Sequence, residues 1–345
     1  MNIPPTSLTL GEREQLSASA RLILERGGSD LKETWRSLTE LGLSQIGRPS
    51  GAGGLMEGNE LLQEIGRSSS SAPLTGSILT NLAAALTGNE SDFAPLLEIL
   101  DTGNAGVVFA FGKHDGDVNA GHATYLNNQL CGEVAFVEGT APVTDVLVAV
   151  EGGLAWVSLK AATLTVTSSR ALATEELQSF KFEKADATFI PLPEGAIADL
   201  VLIARLCSTA YALGAARAGF EEVLEYVKIR KQFGQPIGRF QAIQHKLANC
   251  HTQLEAIRLS TSHAAEQFDL NSPDWRFFAA ATCAFANQAL RQVALDCHHT
   301  FGAIGYSEEH TMPRHFRRIH TSVLKHGGLR SARELLAEQL LGAVI

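Results

Sequence analysis

The order of hydrophobic patterns along the chain constrains its fold more than any other feature. From about residue 10 to residue 100, apolar side chains recur at helical spacing. Between residues 107 and 191 the pattern changes to short β-rich runs separated by Gly and Asp, and from residue 197 onward long helical segments return. The sequence therefore predicts three domains, which are a helical domain (1–104), a small β-barrel or sandwich (105–193) and a helical bundle (194–345).

Charge and hydropathy exclude some classes of partner. The chain has 345 residues, 45% of them hydrophobic, which is enough to build a substantial core. The formal net charge of −9 disfavours nucleic acid or an anionic membrane as the main partner. The first residues lack a basic start followed by an apolar core, and no run approaches the roughly 20 apolar residues that span a bilayer. We expect a cytoplasmic protein without a membrane segment.

The cysteines do not form a recognisable motif. Their number is odd, and no two of them make a C-x-x-C pair. The sequence therefore predicts no metal site, and it predicts reduced thiols in the core of a cytosolic protein. The five residues are Cys131, Cys207, Cys250, Cys283 and Cys297.

The segment 226–245, YVKIRKQFGQPIGRFQAIQH, is the most specific motif in the chain. Arg230 ends an apolar helical run, and Gly234 and Pro236 break the helix before helical spacing resumes. This places a guanidinium at an exposed helix corner, where it can grip a phosphate bidentately, with Phe233 beside it to cover an aromatic ring system. For the charges alone, a solvated surface loop is the alternative interpretation.

The whole run resembles the flavin-binding R-x-x-F-G-x-P-I-x-x-F-Q signature of the acyl-CoA dehydrogenases. The earlier segment TWRSLTELGLSQIGRPSGAGG is similar to the amino-terminal helical domain of that family. The resemblance implies an α+β multi-domain fold, with an amino-terminal helical domain, a middle β-barrel or sandwich and a carboxy-terminal four-helix bundle. It also implies FAD as cofactor, an acyl-CoA substrate and electron-transfer flavoprotein as electron acceptor.

In this family the Arg of the motif reaches across a dimer interface to the pyrophosphate of the neighbouring subunit's flavin. A second segment, HHTFGAIGYSEEH, resembles the Q-x-x-G-G-x-G-Y loop that touches the adenine half of the same cofactor. An ordinary helix-to-helix turn is the alternative for this loop. The resemblance implies cofactor contacts from Arg230, Gln232, Phe233, Phe240, His299 and Gly302.

The catalytic base of the family has no counterpart in this chain. Removing the weakly acidic α proton of a thioester requires a carboxylate whose pKa is raised towards neutrality. The family holds this Glu in a carboxy-terminal Y-E-G-T segment after an R-D dipeptide, but here His326 takes the Glu position and Arg318 the Asp position. The second family position for the Glu falls at Ala204, next to Arg205. A histidine base at His326 remains an alternative.

The flavin-ring contacts of the middle domain also differ. The family carries an acidic Gly-Ser-Asp loop and a W-x-T/S-N segment, whereas this chain has AFGKHDGDVNAG and CGEVAFVEGTAPVTD. Phe136 takes the Trp position and Glu138 the hydroxyl position. An anionic side chain beside the ring would disfavour its reduced, anionic form, so the sequence predicts a poor flavin-ring site.

A preserved cofactor edge combined with a missing base resembles one subunit of a heteromeric acyl-CoA dehydrogenase. In such α2β2 enzymes a homologous partner would supply the Glu and the flavin-ring pocket. The implied reaction is α,β-desaturation of a bulky acyl-CoA, such as a steroid side-chain thioester. Two alternatives stay open. One is a homo-oligomer that uses His326 as base, including for a non-redox reaction, and the other is a structural subunit without flavin.

Overall fold

A computed structural model shows the fold of the chain. It describes residues 8–27, 30–48, 51, 53–88, 90–112, 122–138, 142–161, 163–170, 172 and 176–342. The elements follow the predicted order of helices, strands and helices.

The amino-terminal helices have clear start and stop signals in the sequence. The first begins with a capping box, in which Thr9 and Glu12 bond each other's backbone N–H groups, and Asp30 caps the second. Trp35 is fully buried and donates from Nε1 to the carbonyl oxygen of Ala105 at 2.9 Å, which ties this region to the first strand. The helices are α1 (Leu10–Arg26), α2 (Leu31–Glu40), α3 (Leu55–Arg67), α4 (Leu74–Thr87) and α5 (Ala94–Asp101).

Two four-stranded sheets follow, in the orders β1-β4-β5-β8 and β2-β3-β7-β6. β1 pairs with β4 in parallel, and the other described pairs in these sheets are antiparallel. Buried side chains of both sheets, including Val146, Val148 and Phe180, form one cluster, as in a β-sandwich. The strands are β1 (Gly106–Ala110), β2 (Ala123–Leu126), β3 (Gln129–Glu138), β4 (Val143–Val150), β5 (Gly153–Ser158), β6 (Leu164–Arg170), β7 (Glu176–Asp186) and β8 (Thr188–Pro191).

The carboxy-terminal part is a bundle of long helices centred on α6, which packs against α3, α7, α8 and α9. Close approach of α3 and α6 depends on glycine, because a Cβ on Gly66 would lie 1.9 Å from the carbonyl oxygen of Tyr211. The elements are α6 (Ala196–Ile229), the hairpin strands β9 (Lys231–Gln232) and β10 (Gln235–Pro236), α7 (Gln241–Asp269), α8 (Trp275–Phe301), α9 (Met312–Leu324) and α10 (Gly328–Leu341).

A buried carboxylate joins the first and last helical regions. Asp269, at the end of α7, accepts hydrogen bonds from the backbone N–H groups of Leu55 (2.8 Å) and Met56 (2.9 Å) at the start of α3. Burial raises the pKa of Asp269 to about 7, against the lowering effect of these two bonds. The side chain therefore caps α3 from a distant part of the chain.

Two expectations from the sequence were wrong in part. By length and composition, α6 could cross a membrane, contrary to the expectation that no apolar run is long enough. Most of its apolar stretch is buried inside the structure, as in the core helix of a globular protein. Cys131 is exposed, whereas the other four cysteines are buried as predicted. Cys131 lies on β3, where alternate side chains point away from the core.

Candidate functional site

A small pocket lies where the helical and β regions meet. Its volume is about 100 Å³, and its lining comes from α4, β1, β3, α6 and the segment after α9. Ala204 and His326, the two positions where the sequence pattern expects a base, both line this pocket. The structure thus brings together positions that are distant in sequence. Arg205, the neighbour of Ala204, contacts His326 across a separation of 121 residues.

The segment that carries His326 has an unusual backbone. His326 (φ 55°), Gly327 (φ 90°) and Gly328 (φ 56°) are consecutive left-handed residues between α9 and α10. Glycine adopts left-handed backbone conformations freely. For His326 such a conformation costs energy, and it persists only where the surrounding contacts impose it. Arg205 supplies part of that constraint, because it donates from Nε to the carbonyl oxygen of His326 at 2.9 Å and from Nη2 to Ser331 Oγ at 2.6 Å.

The environment of His326 keeps its ring uncharged. Burial, followed by the positive charges of Lys325 and Arg205, lowers the pKa of His326 to about 3, although Glu138 acts in the opposite direction. The ring meets Phe111 edge-on, with centroids 5.8 Å apart. At neutral pH the imidazole is therefore uncharged and could accept a proton. It is nevertheless a much weaker base than an ordinary histidine side chain.

Glu138 is the only carboxylate among the described lining residues, and it is engaged in an ion pair with Lys325. Burial acts to raise the pKa of Glu138, but attraction to Lys325, with smaller contributions from Arg318 and His326, lowers it below the usual value. The carboxylate is thus ionised and paired, which disfavours proton abstraction. Arg318 itself is buried and donates to Ser71 Oγ at 3.2 Å.

Phe136 stands at an irregularity of β3. The pairing of β3 with β7 shifts between Val134 and Val137, and Phe136 there has φ 61° and remains 50% exposed. Such a bulge re-aims side chains beside a site. The segments next to it in the predicted flavin-ring region, 113–121 and 139–141, lie outside the described residues.

The predicted cofactor edge is at the far end of α6. Arg230, Gln232 and Phe233 are exposed, and Phe233 reaches 93% exposure at the tip of the β9–β10 hairpin. Phe233 (φ 50°) and Gly234 (φ 79°) form the two central residues of this turn, a conformation typical of a two-residue hairpin. Phe240 meets Phe233 edge-on, with ring centroids 6.1 Å apart.

The second predicted cofactor segment comes to the same end of the bundle. The ring of Tyr226, one helical turn before Arg230, lies 4.9 Å from that of Phe301, and its hydroxyl donates to the Phe301 carbonyl oxygen at 3.4 Å. Gly302 follows with φ 65° and has open space where a Cβ would be, while His299 is exposed. The two segments therefore form one continuous edge.

This edge and the pocket are far apart within the chain. Tyr211 of α6 lines the pocket, and Arg230 is 19 residues further along the same helix. At about 1.5 Å per residue the separation is about 28 Å. The exposed edge and the pocket are thus separate surfaces of this chain.

The sequence patterns missed the pairing of Glu138 with Lys325 and the anchoring role of Arg205. The two members of the ion pair are 187 residues apart, so no local pattern links them. The sequence offered one indication of this ion pair. Glu138 takes the family position of a hydroxyl residue, and Lys325 directly precedes the family position of the catalytic carboxylate.

Comparison with known proteins identifies relatives for the carboxy-terminal region. Residues 196–341 match the family model for the acyl-CoA dehydrogenase carboxy-terminal domain. Over 135 residues the chain is 39% identical to a 3-sulfinopropanoyl-CoA desulfinase of Variovorax paradoxus, covering 38% of this chain. The aligned part spans only 32% of that relative's length.

Solved structures match nearly the whole chain. The Tcur3481–Tcur3483 steroid ACAD variant superposes with a TM-score of 0.87 and 26% identity, over 96% of this chain and 98% of that one. The ChsE4–ChsE5 complex from Mycobacterium tuberculosis gives a TM-score of 0.82 and 19% identity, over 99% and 100%. These superpositions confirm the predicted fold class, with its helical, β and helical-bundle parts.

Proposed function

We propose that this chain, which has the acyl-CoA dehydrogenase-like fold and matches that family over its carboxy-terminal domain, is the subunit without a catalytic base in a heteromeric, FAD-dependent acyl-CoA dehydrogenase. The observation that carries the proposal is the contrast between its two surfaces. No described residue that lines the pocket is a competent base, whereas the exposed edge has the residue types and the openness that a nucleotide requires.

The chemistry of the pocket supports the first half of the proposal. Desaturation begins with removal of an α proton, and general base catalysis works best with a pKa near the working pH. His326, with its pKa lowered by burial to about 3, is far below that range, and Glu138 is paired with Lys325. Neither group is suited to take the proton.

The size of the pocket supports the same conclusion. Sites for small organic ligands usually have volumes of about 300 to 1,000 Å³. The pocket of this chain, at about 100 Å³, lies below that range. This small volume favours binding of the flavin ring and the acyl group in the partner's pocket.

The exposed edge supports the second half. FAD, when bound, accepts the hydride that leaves the β carbon of the substrate. A guanidinium is well suited to the pyrophosphate of FAD, an exposed aromatic side chain to a ring, and an open glycine to close approach. Because the edge lies about 28 Å along α6 from this chain's own pocket, it would serve a cofactor held mainly by the neighbouring subunit. The contacts proposed are Arg230, Gln232, Phe233, Phe240, His299 and Gly302.

The proposed assembly is an α2β2 heterotetramer with a homologous dehydrogenase subunit. Two similar structures carry paired names, Tcur3481–Tcur3483 and ChsE4–ChsE5, and the first is a steroid ACAD. We therefore propose a bulky acyl-CoA, such as a steroid side-chain thioester, as substrate. Electron-transfer flavoprotein would be the acceptor, and the complex would work in the cytoplasm.

The second candidate is a homo-oligomer that uses His326 as base. Its supporting observation is that His326 lines the pocket at the expected position. This candidate includes reactions on an acyl-CoA that are not dehydrogenations, because one relative is named as a 3-sulfinopropanoyl-CoA desulfinase.

Co-expression distinguishes the candidates. The chain produced alone should carry little FAD, whereas with its homologous partner it should co-purify as a yellow complex containing one FAD per pair of chains. Flavin absorbance and protein concentration give this ratio. A yellow, active homo-oligomer formed by this chain alone would contradict the proposal.

A further inference from the structure

The ion pair between Glu138 and Lys325 connects two regions of the fold. Glu138 is the last residue of β3, and Lys325 is the first residue after α9. Both side chains line the pocket and are partly buried, with exposures of 44% and 19%. The pair therefore joins the β region to the helical bundle across the pocket itself.

We infer that this ion pair is a latch that keeps the pocket of this chain closed to a flavin ring. The inference rests on the proposed function, in which this pocket no longer works, and adds the residues that close it. When the pair is broken, β3 and the segment after α9 are no longer held together across the pocket.

The backbone on both sides of the pair supports this role. Phe136, two residues before Glu138, has φ 61°, and His326, directly after Lys325, has φ 55°. Left-handed conformations of such side chains are costly and persist only where nearby contacts impose them. The ion pair lies between these two strained positions, so it is placed to hold both in the closed arrangement.

Two arginines make further contacts close to the pair. Arg318 of α9 donates a hydrogen bond to Ser71, which precedes α4, and its positive charge also attracts Glu138 at the end of β3. Arg205 holds the His326 carbonyl from α6. The Glu138–Lys325 ion pair joins the end of β3 directly to the segment after α9.

The test uses Lys325→Met and Glu138→Gln, two variants that remove one charge each and nearly preserve side-chain length. Lys181→Met is the matched control, because Lys181 pairs with Glu183 on the exposed face of β7 and touches no part of the pocket. A charge-swapped variant, Glu138→Lys with Lys325→Glu, restores the pair in reverse. All are measured in the assembly in which the chain purifies, with the FAD that it retains and none added.

The probe is lumiflavin, which has the flavin ring without the nucleotide, and its binding is followed by fluorescence quenching. We expect at least tenfold tighter lumiflavin binding in both single variants, with faster backbone hydrogen exchange in segments 132–138 and 322–328. Lys181→Met should match the wild type, and the swapped variant should return to it within about threefold.

Binding and exchange within twofold of the wild type in both single variants would overturn the latch. So would a swapped variant that binds lumiflavin as tightly as the single variants. Because neither readout requires turnover, a missing dehydrogenase activity counts only against the proposed function. Unchanged binding and exchange count only against the latch.

Discussion

Replacing Arg230 with Ala should weaken FAD binding without unfolding the chain. The backbone of Arg230 is held by two hydrogen bonds, from its N–H to the Tyr226 carbonyl oxygen at 2.9 Å and from the Ile237 N–H to its own carbonyl oxygen at 2.8 Å. Alanine retains both bonds. The side chain is exposed at the end of α6, so its removal leaves no cavity.

The magnitude follows from the contact that the guanidinium would make. A charge-assisted hydrogen bond contributes about 1.5 to 3 kcal/mol, so loss of the phosphate grip should weaken FAD binding roughly 10- to 100-fold. Arg230→Lys keeps the charge but loses the bidentate fork, and should fall between the wild type and Arg230→Ala.

The assay is titration of the flavin-depleted complex with FAD, accompanied by thermal melting. Arg239→Ala is the matched control, because Arg239 is also exposed, lies nine positions further along the same turn, and is not among the proposed contacts. Arg239→Ala should bind FAD within about twofold of the wild type. Equal affinities for Arg230→Ala and the wild type, with equal melting temperatures, would refute the assignment of this edge to FAD.

Two predictions concern the scaffold that carries the site. Burial raises the pKa of Asp269 to about 7, so the folded state binds this proton more tightly than the unfolded state, whose carboxyl titrates near pH 4. The stabilisation that Asp269 contributes to the folded state should be full below about pH 4 and should be lost as pH rises towards 7. Denaturant titrations of Asp269→Asn should show no such loss of stability over this pH range. If the variant and the wild type lose the same stability between pH 4 and 7, the prediction is wrong. Gly66→Ala would place its Cβ 1.9 Å from the Tyr211 carbonyl oxygen and should cost about 1 to 3 kcal/mol or more, whereas Gly11→Ala, with nothing within 4 Å, should be neutral or stabilising in a thermal melt. Equal melting temperatures for both variants would show that α3 and α6 adjust freely.

The order of the elements was predictable because helical and strand periodicity are local properties of the sequence. The predicted succession of helices, strands and helices matches the structure, and the pattern at 226–245 correctly indicated a helix end followed by a tight turn. The family resemblance marked Ala204 and His326 as two positions for the base, but their meeting in one pocket is a tertiary feature that nothing local in the sequence indicates.

Other features depend on tertiary contacts and could not be derived from periodicity. The left-handed conformation of Phe136 arises where β3 shifts its pairing with β7, and an aromatic residue gives no local signal for it. The low pKa of His326 results from burial first, and from charges that the fold brings to it. The exposure of Cys131 depends on which face of β3 packs against the other sheet. The spacing of the cysteines in the sequence carries no information about that face.

The most direct test of the central claim, that the partner and not this chain supplies the base, is the turnover of His326→Ala in the co-expressed pair. General base catalysis contributes about 100- to 10,000-fold, so a working His326 could not be removed without a large loss. If the partner supplies the base, kcat should remain within about threefold of the wild type, which corresponds to less than 1 kcal/mol. A loss of 100-fold or more in a variant that is folded and holds FAD would contradict the account and assign the chemistry to His326.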